Sequence, residues 1–537
     1  MLGTMQDFPL TLPFLFRHGA TIHRDSQVAT YLGDLTERAS FGEIALRAQR
    51  LARALERLGI SRGDRVGTFC WNHQQNLEAY LAIPCMGAVN HTLNIRLFAD
   101  QLAYIINHAS DRIILVDASL VPALAKVVPQ LKTVERYIVV GHNDGTLPNS
   151  LDYEEIVAAE EPDFVWPDID ERSAASMCYT SGTTGNPKGV VYTHRSNYLH
   201  ALAECAADSL ALSQHDRVLM VPPMFHANAW GLPYAAWLCG ADLTMPGRFL
   251  QAEPLCRLIA TERPTFLCSV PTVLAELARY AETHAVDLSS LRLVMSGGAA
   301  VPRALIEKFE RGFGVPLIQG WGMTETSPLA ALAHHPRGTP PGRVLDYHAK
   351  TGRITAGVEV RIVNGSTVQP WDGQAVGEIQ IRGPWITASY FGDDSGDRFD
   401  HGWLCTGDVG TIDPLGFVQI SDRAKDVIKS GGEWISSVEL EGHLMAHPDV
   451  IEAGVIGVPD DRWDERPLAC VVLRKGTQVS PQALREFLAE RVAKWWLPER
   501  WVFVEEIPKT SVGKFDKKVL RARYKAGEIG EFKLARD

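Results

Sequence analysis

The sequence lacks several features that would assign it to common protein classes. Its 537 residues include nine cysteines without a C-x-x-C pair, so neither a disulfide framework nor a zinc site is indicated. No apolar run reaches the roughly 20 residues that span a membrane, and residues 8–16 are short and broken by proline. Basic residues number 53 against 64 acidic ones, which argues against nucleic acid as a partner. We therefore expect a cytoplasmic protein with reduced thiols, and peripheral membrane contact stays open.

The chain is too long for one compact core, and its first 350 residues alternate between strand and helix patterns. Ser40 and Glu43 form a capping box ahead of an apolar helical repeat that Gly59 ends, and residues 65–70 then indicate a buried strand. This alternation predicts an α/β fold with parallel sheets covered by helices. The further strands predicted here are 112–116, 137–140, 218–221, 265–268 and 291–295, and the further helices are 76–86, 199–212, 272–281 and 303–309.

The hydrophobic pattern of the sequence changes after about Gly352. Residues 358–363 and 378–382 alternate apolar and polar side chains, which predicts a smaller antiparallel, β-barrel-like region. A charged run at 421–426 then separates this region from a compact tail of small α+β type. We expect a large N-terminal domain of two α/β subdomains plus the barrel-like region at 1–424, and a small C-terminal domain at 425–537. The tail is predicted to contain helices at 436–445 and 481–494 and strands at 451–458, 469–473 and 501–504.

Residues 179–189 form a loop suited to binding a polyphosphate. Ahead of a helical pattern near His194, the loop holds three glycines, four aliphatic hydroxyls and Lys188. Glycine lets backbone amides approach an anion closely, while hydroxyls and lysine add donors and charge. A Walker A loop needs Ser or Thr after its lysine, and Gly189 stands there instead, so a P-loop NTPase is not indicated. The alternative is a polar surface loop.

Three later segments carry side chains suited to a nucleotide. Residues 296–300 form a small-residue turn that allows close ligand approach. Trp321 lies between two glycines, where its face can stack on a purine, and nearby Glu325 can hold Mg²⁺. Asp408 follows a glycine and can accept both ribose hydroxyls. Each segment also has a structural alternative, namely a tight βα turn, a buried tryptophan or a Gly-Asp turn. The case for a nucleotide site therefore depends on all three occurring in one chain.

A lysine near the C-terminus completes the set. Lys514 lies between Gly513 and Phe515 on a loop of the small domain. With these motifs in this order, the chain resembles the adenylate-forming enzymes and, among them, bacterial medium- and long-chain fatty acyl-CoA synthetases. Trp321 stands where that family more often has tyrosine, and Asp422 where glycine often precedes the arginine. The resemblance covers nearly the whole chain and is carried by residues 180–189, 320–325, 407–408, 422–426, 429–434 and 508–514.

The resemblance implies a role for each site residue. Lys514 would bridge the substrate carboxylate and the α-phosphate, and Lys425 lies at the family's hinge, where the mobile small domain rotates between two half-reactions. The other catalytic residues implied are Glu325, Thr324 and His226. The residues implied to bind ATP or AMP are Thr180, Ser181, Gly182, Thr183, Thr184, Lys188, Gly298, Ala299, Gln319, Gly320, Trp321, Thr324, Asp408, Arg423, Lys425, Lys429 and Trp434. Those implied to hold Mg²⁺ are Thr180 and Glu325, and those implied to bind the acid are His226, Trp230, Gly297 and Gly322.

The same resemblance implies an ATP-dependent acyl-CoA ligase with Mg²⁺ and coenzyme A. The acid attacks the α-phosphate of ATP, giving acyl-AMP and pyrophosphate, and the thiol of CoA then releases AMP. A homodimer is compatible with the resemblance.

Residues 223–231 bear on the identity of the acid. His226 and Trp230 are four apart and would share a face of a helix, and Trp230 resembles a tryptophan that gates a fatty-acid tunnel. The segment holds no carboxylate, lysine or arginine to pair with a charged tail, which favours a medium- or long-chain aliphatic acid. The alternatives are a 3-methylthiopropionate CoA ligase, an acyl-AMP ligase that loads a carrier protein, a luciferase-like oxygenase and a nucleotide-binding regulator.

Overall fold

The computed structural model describes residues 1, 3–180, 186–393, 396–423, 426–430, 433–509 and 515–534. Its α-helices are α1 (Leu12–Ile22), α2 (Phe41–Arg57), α3 (Gln74–Cys85), α4 (Ala99–Ala109), α5 (Val121–Ala125), α6 (Tyr153–Ala158), α7 (His194–Cys205), α8 (Leu232–Cys239), α9 (Ala252–Glu262), α10 (Pro271–His284), α11 (Arg303–Glu307), α12 (Val344–His348), α13 (Ser437–Met445), α14 (Pro481–Ala489) and α15 (Lys517–Lys525). Short 3-10 segments are Ala118–Leu120, Val128–Gln130, Ala227–Gly231, Thr324–Thr326, Pro341–Arg343 and Lys494–Trp496, and a π-helical turn is Lys308–Phe313.

The strands come from all parts of the described chain. They are β1 (Gln27–Tyr31), β2 (Thr36–Ser40), β3 (Arg65–Phe69), β4 (Val89–Thr92), β5 (Asp111–Asp117), β6 (Arg136–Val140), β7 (Ser150–Asp152), β8 (Ala174–Tyr179), β9 (Gly189–Thr193), β10 (Arg217–Met220), β11 (Asp242–Met245), β12 (Phe266–Ser269), β13 (Leu293–Ser296), β14 (Leu317–Gly322), β15 (Leu329–Leu332), β16 (Gly352–Ile354), β17 (Glu359–Asn364), β18 (Thr367–Val368), β19 (Gly377–Arg382), β20 (Phe399–Asp400), β21 (Trp403–Ile412), β22 (Phe417–Arg423), β23 (Ile428–Ser430), β24 (Glu433–Ile435), β25 (Val450–Asp460), β26 (Asp464–Leu473), β27 (Arg500–Phe503) and β28 (Phe532–Lys533).

The first sheet has the order β7-β6-β5-β3-β4-β8-β9 and is parallel except for the β8–β9 hairpin. Its strands are short apolar runs because helices cover both faces, which buries side chains on each side. The predicted capping box opens α2, since Ser40 Oγ accepts a hydrogen bond from Glu43 N at 3.2 Å and Glu43 Oε2 accepts one from Ser40 N at 2.7 Å. The apolar face of α2 then packs into the core of this domain.

A second, larger sheet joins the two remaining predicted parts of the N-terminal domain. Strands β1, β11, β10, β12, β13 and β14 are parallel, and β14 then pairs antiparallel with β15. The strands that follow, β16 to β22, pair antiparallel, as the alternating pattern after Gly352 predicts. The strand β14 therefore lies at the junction between the parallel and the antiparallel halves of this sheet.

The C-terminal residues form a third sheet with its own core. Its order is β24-β23-β26-β27-β28, with β25 paired to β26, and α13, α14 and α15 belong to the same part of the chain. The helix α15 was not predicted from the sequence. The expected boundary between residues 424 and 425 lies outside the described residues.

Two predicted helices end earlier in the structure than the sequence pattern indicates. The pattern at 481–494 predicts one helix, but α14 ends at Ala489 and the chain turns before the 3-10 segment Lys494–Trp496. The pattern at 199–212 predicts a single helix, but α7 begins earlier, at a capping box made by Thr193 and Ser196, and ends at Cys205. Leu210 and Leu212 are buried from a turn in which Ala211 has a φ of 52°, so their burial imitates a helical repeat without a helix. Because α7 ends at Cys205, Glu204 lies in its last turn, and its side chain is buried there.

Among the described helices, none combines the length and apolar character needed to cross a bilayer. All nine cysteines are free thiols.

Candidate active site

A cavity of about 1630 Å³ lies where the second sheet meets the C-terminal residues. Among the residues predicted for the site, those lining it are Thr180, Lys188, His226, Trp230, Gly297, Gly298, Ala299, Gln319, Gly320, Trp321, Gly322, Thr324, Glu325, Asp408 and Arg423. The C-terminal part contributes further lining residues, including Glu439, His443, Lys509, Phe515 and Lys517. The cavity is thus formed by both parts of the chain.

The remaining predicted residues are not placed at the cavity. Lys429 is exposed on β23, where its backbone N–H donates to Glu465 Oε2 at 3.0 Å, and it is not among the lining residues. The predicted residues that lie outside the described part of the chain are Ser181, Gly182, Thr183, Thr184, Lys425 and Lys514, together with the side chain of Trp434.

The carboxyl ends of β13 and β14 position the small-residue turn. Gln319 holds that turn, because its Oε1 accepts a hydrogen bond from Val301 N at 2.6 Å and its Nε2 donates to Lys350 O at 3.2 Å. A Cβ on Gly297 would lie 2.9 Å from Gly320 O, so a side chain there would push the two strand ends apart. The turn therefore leaves a narrow slot open at the edge of a parallel sheet, the usual place for a nucleotide in such folds.

Trp321, Asp408 and Arg423 form one connected group on the wall of the cavity. Trp321 Nε1 donates to Asp408 Oδ2 at 2.9 Å, and Arg423 Nε lies 2.7 Å from Asp408 Oδ1. The two charged residues sit opposite each other on β21 and β22. The Asp408 side chain is 3% exposed, so its charge is held by these partners. A flat ring beside a fixed carboxylate is the arrangement that a nucleoside needs for its base and its ribose hydroxyls.

The ends of the glycine-rich loop are closed by two hydrogen bonds. Thr180 N donates to Lys188 O at 2.9 Å, and Lys188 N donates to Thr180 Oγ1 at 3.2 Å. Lys188 Nζ lies 2.7 Å from Asp393 Oδ2 and 4.8 Å from the centre of the Tyr390 ring. The lysine ammonium is therefore directed to the cavity wall, within reach of an anion that would compete with Asp393.

Glu325 is the carboxylate suited to Mg²⁺. Its Oε1 accepts a hydrogen bond from the hydroxyl of Tyr390 at 2.7 Å, and burial raises the pKa of that tyrosine, which keeps it a donor. Thr324 is fixed by its carbonyl, which accepts from Tyr192 Oη at 2.7 Å. No cluster of three or more His, Cys, Asp or Glu side chains that could hold a metal occurs within the described ranges. One carboxylate and a hydroxyl fit Mg²⁺ that arrives with nucleotide phosphates, which supply its remaining oxygen ligands.

Residues 227–230 correct the prediction made for the acyl segment. A right-handed helix is not formed, because Ala227, Asn228, Ala229 and Trp230 all have left-handed backbone angles, with φ between 44° and 59°. This conformation costs about 1–2 kcal/mol per residue. Asn228 holds it through hydrogen bonds to Ser176 Oγ at 3.2 Å and from Cys178 Sγ at 3.5 Å. His226 and Trp230 both line the cavity, although not on one helical face.

Sequence reasoning missed three residues of this site. Tyr390 and Asp393 contact Glu325 and Lys188, yet they lie in a stretch without a recognisable motif. Glu204 lines the cavity from the end of α7, where a helical pattern alone does not say which side faces a ligand. The one signal in the sequence is a charged residue between apolar ones, Leu202 and Ala203 before it and Cys205 and Ala206 after it.

The comparisons with known proteins identify the family of the chain. Residues 16–391 match the AMP-binding enzyme family, and residues 439–514 match the AMP-binding enzyme C-terminal domain. The chain is 46% identical to a long-chain-fatty-acid–CoA ligase of Thermus thermophilus, with 97% of each chain covered. It is 41% identical to a medium-chain-fatty-acid–CoA ligase of Ectopseudomonas oleovorans, with 98% of each covered.

Two further matches extend the comparison. A 3-methylmercaptopropionyl-CoA ligase of Ruegeria lacuscaerulensis is 42% identical, with 99% of this chain and 100% of that one covered. The crystal structure of the anthranilate CoA ligase AuaEII in complex with anthranoyl-AMP superposes with a TM-score of 0.87 at 26% identity, over 98% of this chain and 100% of that one.

The chain therefore belongs to the AMP-binding enzyme family. Within that family it is an acid–thiol ligase, an AMP-forming acyl-CoA synthetase that uses ATP, Mg²⁺ and coenzyme A.

Proposed function

We propose that this ligase activates an aliphatic carboxylic acid of medium or long chain, converting it to acyl-CoA through acyl-AMP. The observation that carries this proposal is the identity of 41% and 46% to two fatty-acid CoA ligases over nearly the whole chain. The part of the cavity near Trp230 supports it, because Met295 and Leu329 line the same wall and offer an apolar surface to an alkyl chain.

Different site residues are proposed to bind the base, the ribose and the phosphates of the nucleotide. Trp321 and the turn at Gly298 and Ala299 would enclose the adenine, and Asp408 with Arg423 would hold the ribose. Asp408 is suited to this role because a buried carboxylate offers acceptor sites to two hydroxyls.

The phosphate end is proposed to rest on charge and positioning. Lys188 would leave Asp393 for the β- and γ-phosphates, and Thr324 would contact the α-phosphate. Mg²⁺, held by Glu325 and Thr180, supplies charge neutralisation on phosphate oxygens when it is bound. Catalysis then comes from positioning the acid and from stabilising developing charge, because no protein nucleophile is required.

Lys514 is proposed to join the acid carboxylate to the α-phosphate during the first step. Two neighbours of residues 510–514 support this role, since Lys509 and Phe515 pair in an isolated β-bridge and both line the cavity. The arrangement described here would then be the one that forms acyl-AMP.

A division of the chain into an N-terminal domain, 1–424, and a mobile C-terminal domain, 425–537, is also proposed. Its support is the separate C-terminal sheet, whose strands all follow Asp426. Lys425 would be the hinge about which this domain rotates to let CoA reach the acyl group, and Lys429 and Trp434 would contact the nucleotide in one of its orientations.

A panel of carboxylic acids from short to long chain tests the proposed substrate. AMP release that depends on both acid and CoA, and that is strongest for acids of about eight carbons or more, would agree with the proposal. A 3-methylthiopropionate ligase is the second candidate, since its relative matches at 42% over the full lengths of both chains. Activity confined to 3-methylthiopropionate would select that candidate, and activity with a carrier protein in place of CoA would select an acyl-AMP ligase.

A cytoplasmic location and a homodimer complete the proposal. The nine free thiols support a reducing compartment. Sedimentation of the purified enzyme tests the dimer, which a mass near 59.2 kDa in solution would rule out.

A further inference from the structure

Glu204 is a buried acidic residue on the wall of the active-site cavity, and the reaction as described does not use it. It lies in the last turn of α7 and is 2% exposed, and it lines the cavity together with His226 and Trp230. The apolar side chains of Met295 and Leu329 line the same cavity. A carboxyl group in such a place is costly unless something hydrogen-bonds to it.

Within the described ranges, no hydrogen bond reaches the Oε2 atom of this carboxyl group. Glu204 Oε2 is buried without a partner, and it lies beside Gly231, where a Cβ would approach it to 2.9 Å. The Nδ1 atom of His200 lies 3.9 Å from Glu204 Oε1, beyond hydrogen-bond length.

One ring nitrogen of His200 has a hydrogen-bond partner, and the other, Nδ1, carries the proton of the neutral ring but is too far from Glu204 to bond to it. Its Nε2 accepts a hydrogen bond from Leu329 N at 3.0 Å, and burial lowers its pKa to about 3, so the ring is neutral. The other titratable groups that interact with the carboxyl of Glu204 are the thiols of Cys205, Cys239 and Cys268. No cation among the described residues therefore faces Glu204.

The environment of Glu204 favours one protonation state. Burial raises the pKa of its carboxyl group well above the ordinary value, which favours the neutral, protonated form. A neutral carboxyl group has one O–H donor and a carbonyl acceptor. Its complement is a group that both donates and accepts, and an alcohol hydroxyl does both.

We propose that Glu204 makes the acyl pocket a hydrogen-bonding subsite, so that the enzyme prefers aliphatic acids with a hydroxyl group on the chain to unsubstituted acids of equal length. This inference rests on the proposed function, because it concerns the acyl group of the same reaction. An alkyl chain packed against Glu204 leaves the carboxyl group unsatisfied, whereas a hydroxyl at the right carbon satisfies both partners. Sites that hydrogen-bond a substrate hydroxyl reject analogues without one.

The test compares octanoic acid with a series of monohydroxyoctanoic acids that carry the hydroxyl at successive carbons. The readout is the ratio of kcat/KM for each hydroxy acid to that for octanoic acid, measured as CoA-dependent AMP release. Glu204→Leu removes the hydrogen-bonding group and should lower the best ratio by about 10-fold or more. Glu204→Gln keeps a donor and an acceptor in nearly the same volume and should leave that ratio within about 3-fold. If Glu204→Leu does not fold, Glu204→Met is measured in its place, since it also removes the donor and acceptor but keeps an unbranched side chain of similar length.

The possible outcomes distinguish the hydroxyl subsite from the proposed function on which it rests. A wild-type preference for one hydroxy acid that Glu204→Leu abolishes supports the subsite. Activity with octanoic acid, but with ratios that Glu204→Leu and Glu204→Gln leave unchanged, overturns the subsite and leaves the proposed function intact. A preference for an 8-aminooctanoic acid that disappears in Glu204→Gln would mean a charged carboxylate and also overturns it. If none of these acids supports CoA-dependent AMP release, the proposed function itself is refuted.

Discussion

Trp321 Nε1 donates a hydrogen bond of 2.9 Å to Asp408 Oδ2, which ties the proposed adenine wall to the proposed ribose acceptor. The bond is formed between β14 and β21, two strands from different halves of the second sheet. Because Asp408 is buried, its orientation depends on this donor and on Arg423.

Trp321→Phe should therefore raise the KM for ATP about 10-fold, since it keeps a ring but removes a hydrogen bond to a charged group. The KM for the acid should change little. The measurement is initial-rate kinetics with ATP varied at saturating acid and CoA. Trp371→Phe, a change at a half-exposed tryptophan on a surface turn, is the matched control and should have no effect. An unchanged KM for ATP in Trp321→Phe would contradict the proposed nucleoside site.

Tyr390→Phe should weaken activation by Mg²⁺ about 10-fold, because it removes the hydroxyl that orients Glu325 Oε1 at 2.7 Å. The ring beneath Lys188 is kept, so phosphate binding should be less affected. Acyl-AMP formation is measured against free Mg²⁺ at fixed ATP. Tyr280→Phe, on α10, is the control. Equal Mg²⁺ dependence in the two variants would remove Glu325 from the metal site.

Lys514→Ala should reduce acyl-AMP formation by 100-fold or more, about the loss expected when one charged group at a transition state is removed. Thioester formation from supplied acyl-AMP and CoA should stay within a few-fold of the wild type. Both half-reactions are followed separately, as pyrophosphate release and as acyl-CoA formation. Lys525→Ala, in the last turn of α15, is the control. Loss of both half-reactions to the same extent would show that Lys514 has no step-specific role.

Asp422→Ala should slow acyl-AMP formation about 10-fold while sparing the thioester step. Asp422 Oδ2 accepts a hydrogen bond from Ser437 N at 2.7 Å and another from the Ser437 hydroxyl, so β22 is fastened to the start of α13. Losing this contact loosens the arrangement proposed to form acyl-AMP. The half-reaction assays also decide this case, with Asp372→Ala at an exposed turn as the control. A faster first step in Asp422→Ala would reverse the assignment of the two orientations.

Glu441→Gln should remove a pH dependence of stability. Burial raises the pKa of Glu441 to about 7 from its ordinary 4.5, although Lys517 Nζ lies 2.8 Å away. The folded protein then binds more protons than the unfolded chain between these values, so this contribution to stability is present below pH 4.5 and is lost as pH rises through 7. Its size is on the order of 3 kcal/mol.

Unfolding in urea from pH 4.5 to pH 7.5 measures the effect as the difference between wild type and Glu441→Gln. The stability of the wild type relative to Glu441→Gln should fall as pH rises, because Gln resembles the protonated form. Glu439→Gln, on the same helix and half exposed, is the control and should run parallel to the wild type. A wild type whose stability relative to Glu441→Gln increases with pH would mean that Lys517 holds Glu441 charged.

Residues with a chemical requirement inside a contiguous motif could be predicted from the sequence. Thr180, Lys188, Trp321 and Asp408 all line one cavity because glycine-rich turns and strand ends bring such motifs to a sheet edge. Tyr390 and Asp393 could not be predicted, since their importance depends on which side chains lie opposite them in the fold.

The backbone at 227–230 shows a different limit. Alanine, asparagine and tryptophan favour right-handed conformations locally, and only tertiary contacts such as that of Asn228 with Ser176 make the left-handed turn stable. The helix predicted at 199–212 failed for a related reason, because Leu210 and Leu212 are buried from a turn. Burial can be inferred from hydrophobic spacing, but the path of the chain between buried residues cannot.

Arg423 has a position that matters for inhibition. It lies two residues before Lys425, the proposed hinge, and it is paired to the carboxylate that Trp321 also contacts. A small molecule bound only in the proposed adenine site would contact this same group of residues. Such a compound would change the orientation of the proposed C-terminal domain while the acyl pocket is empty. An inhibitor of this kind would not need to resemble the acid.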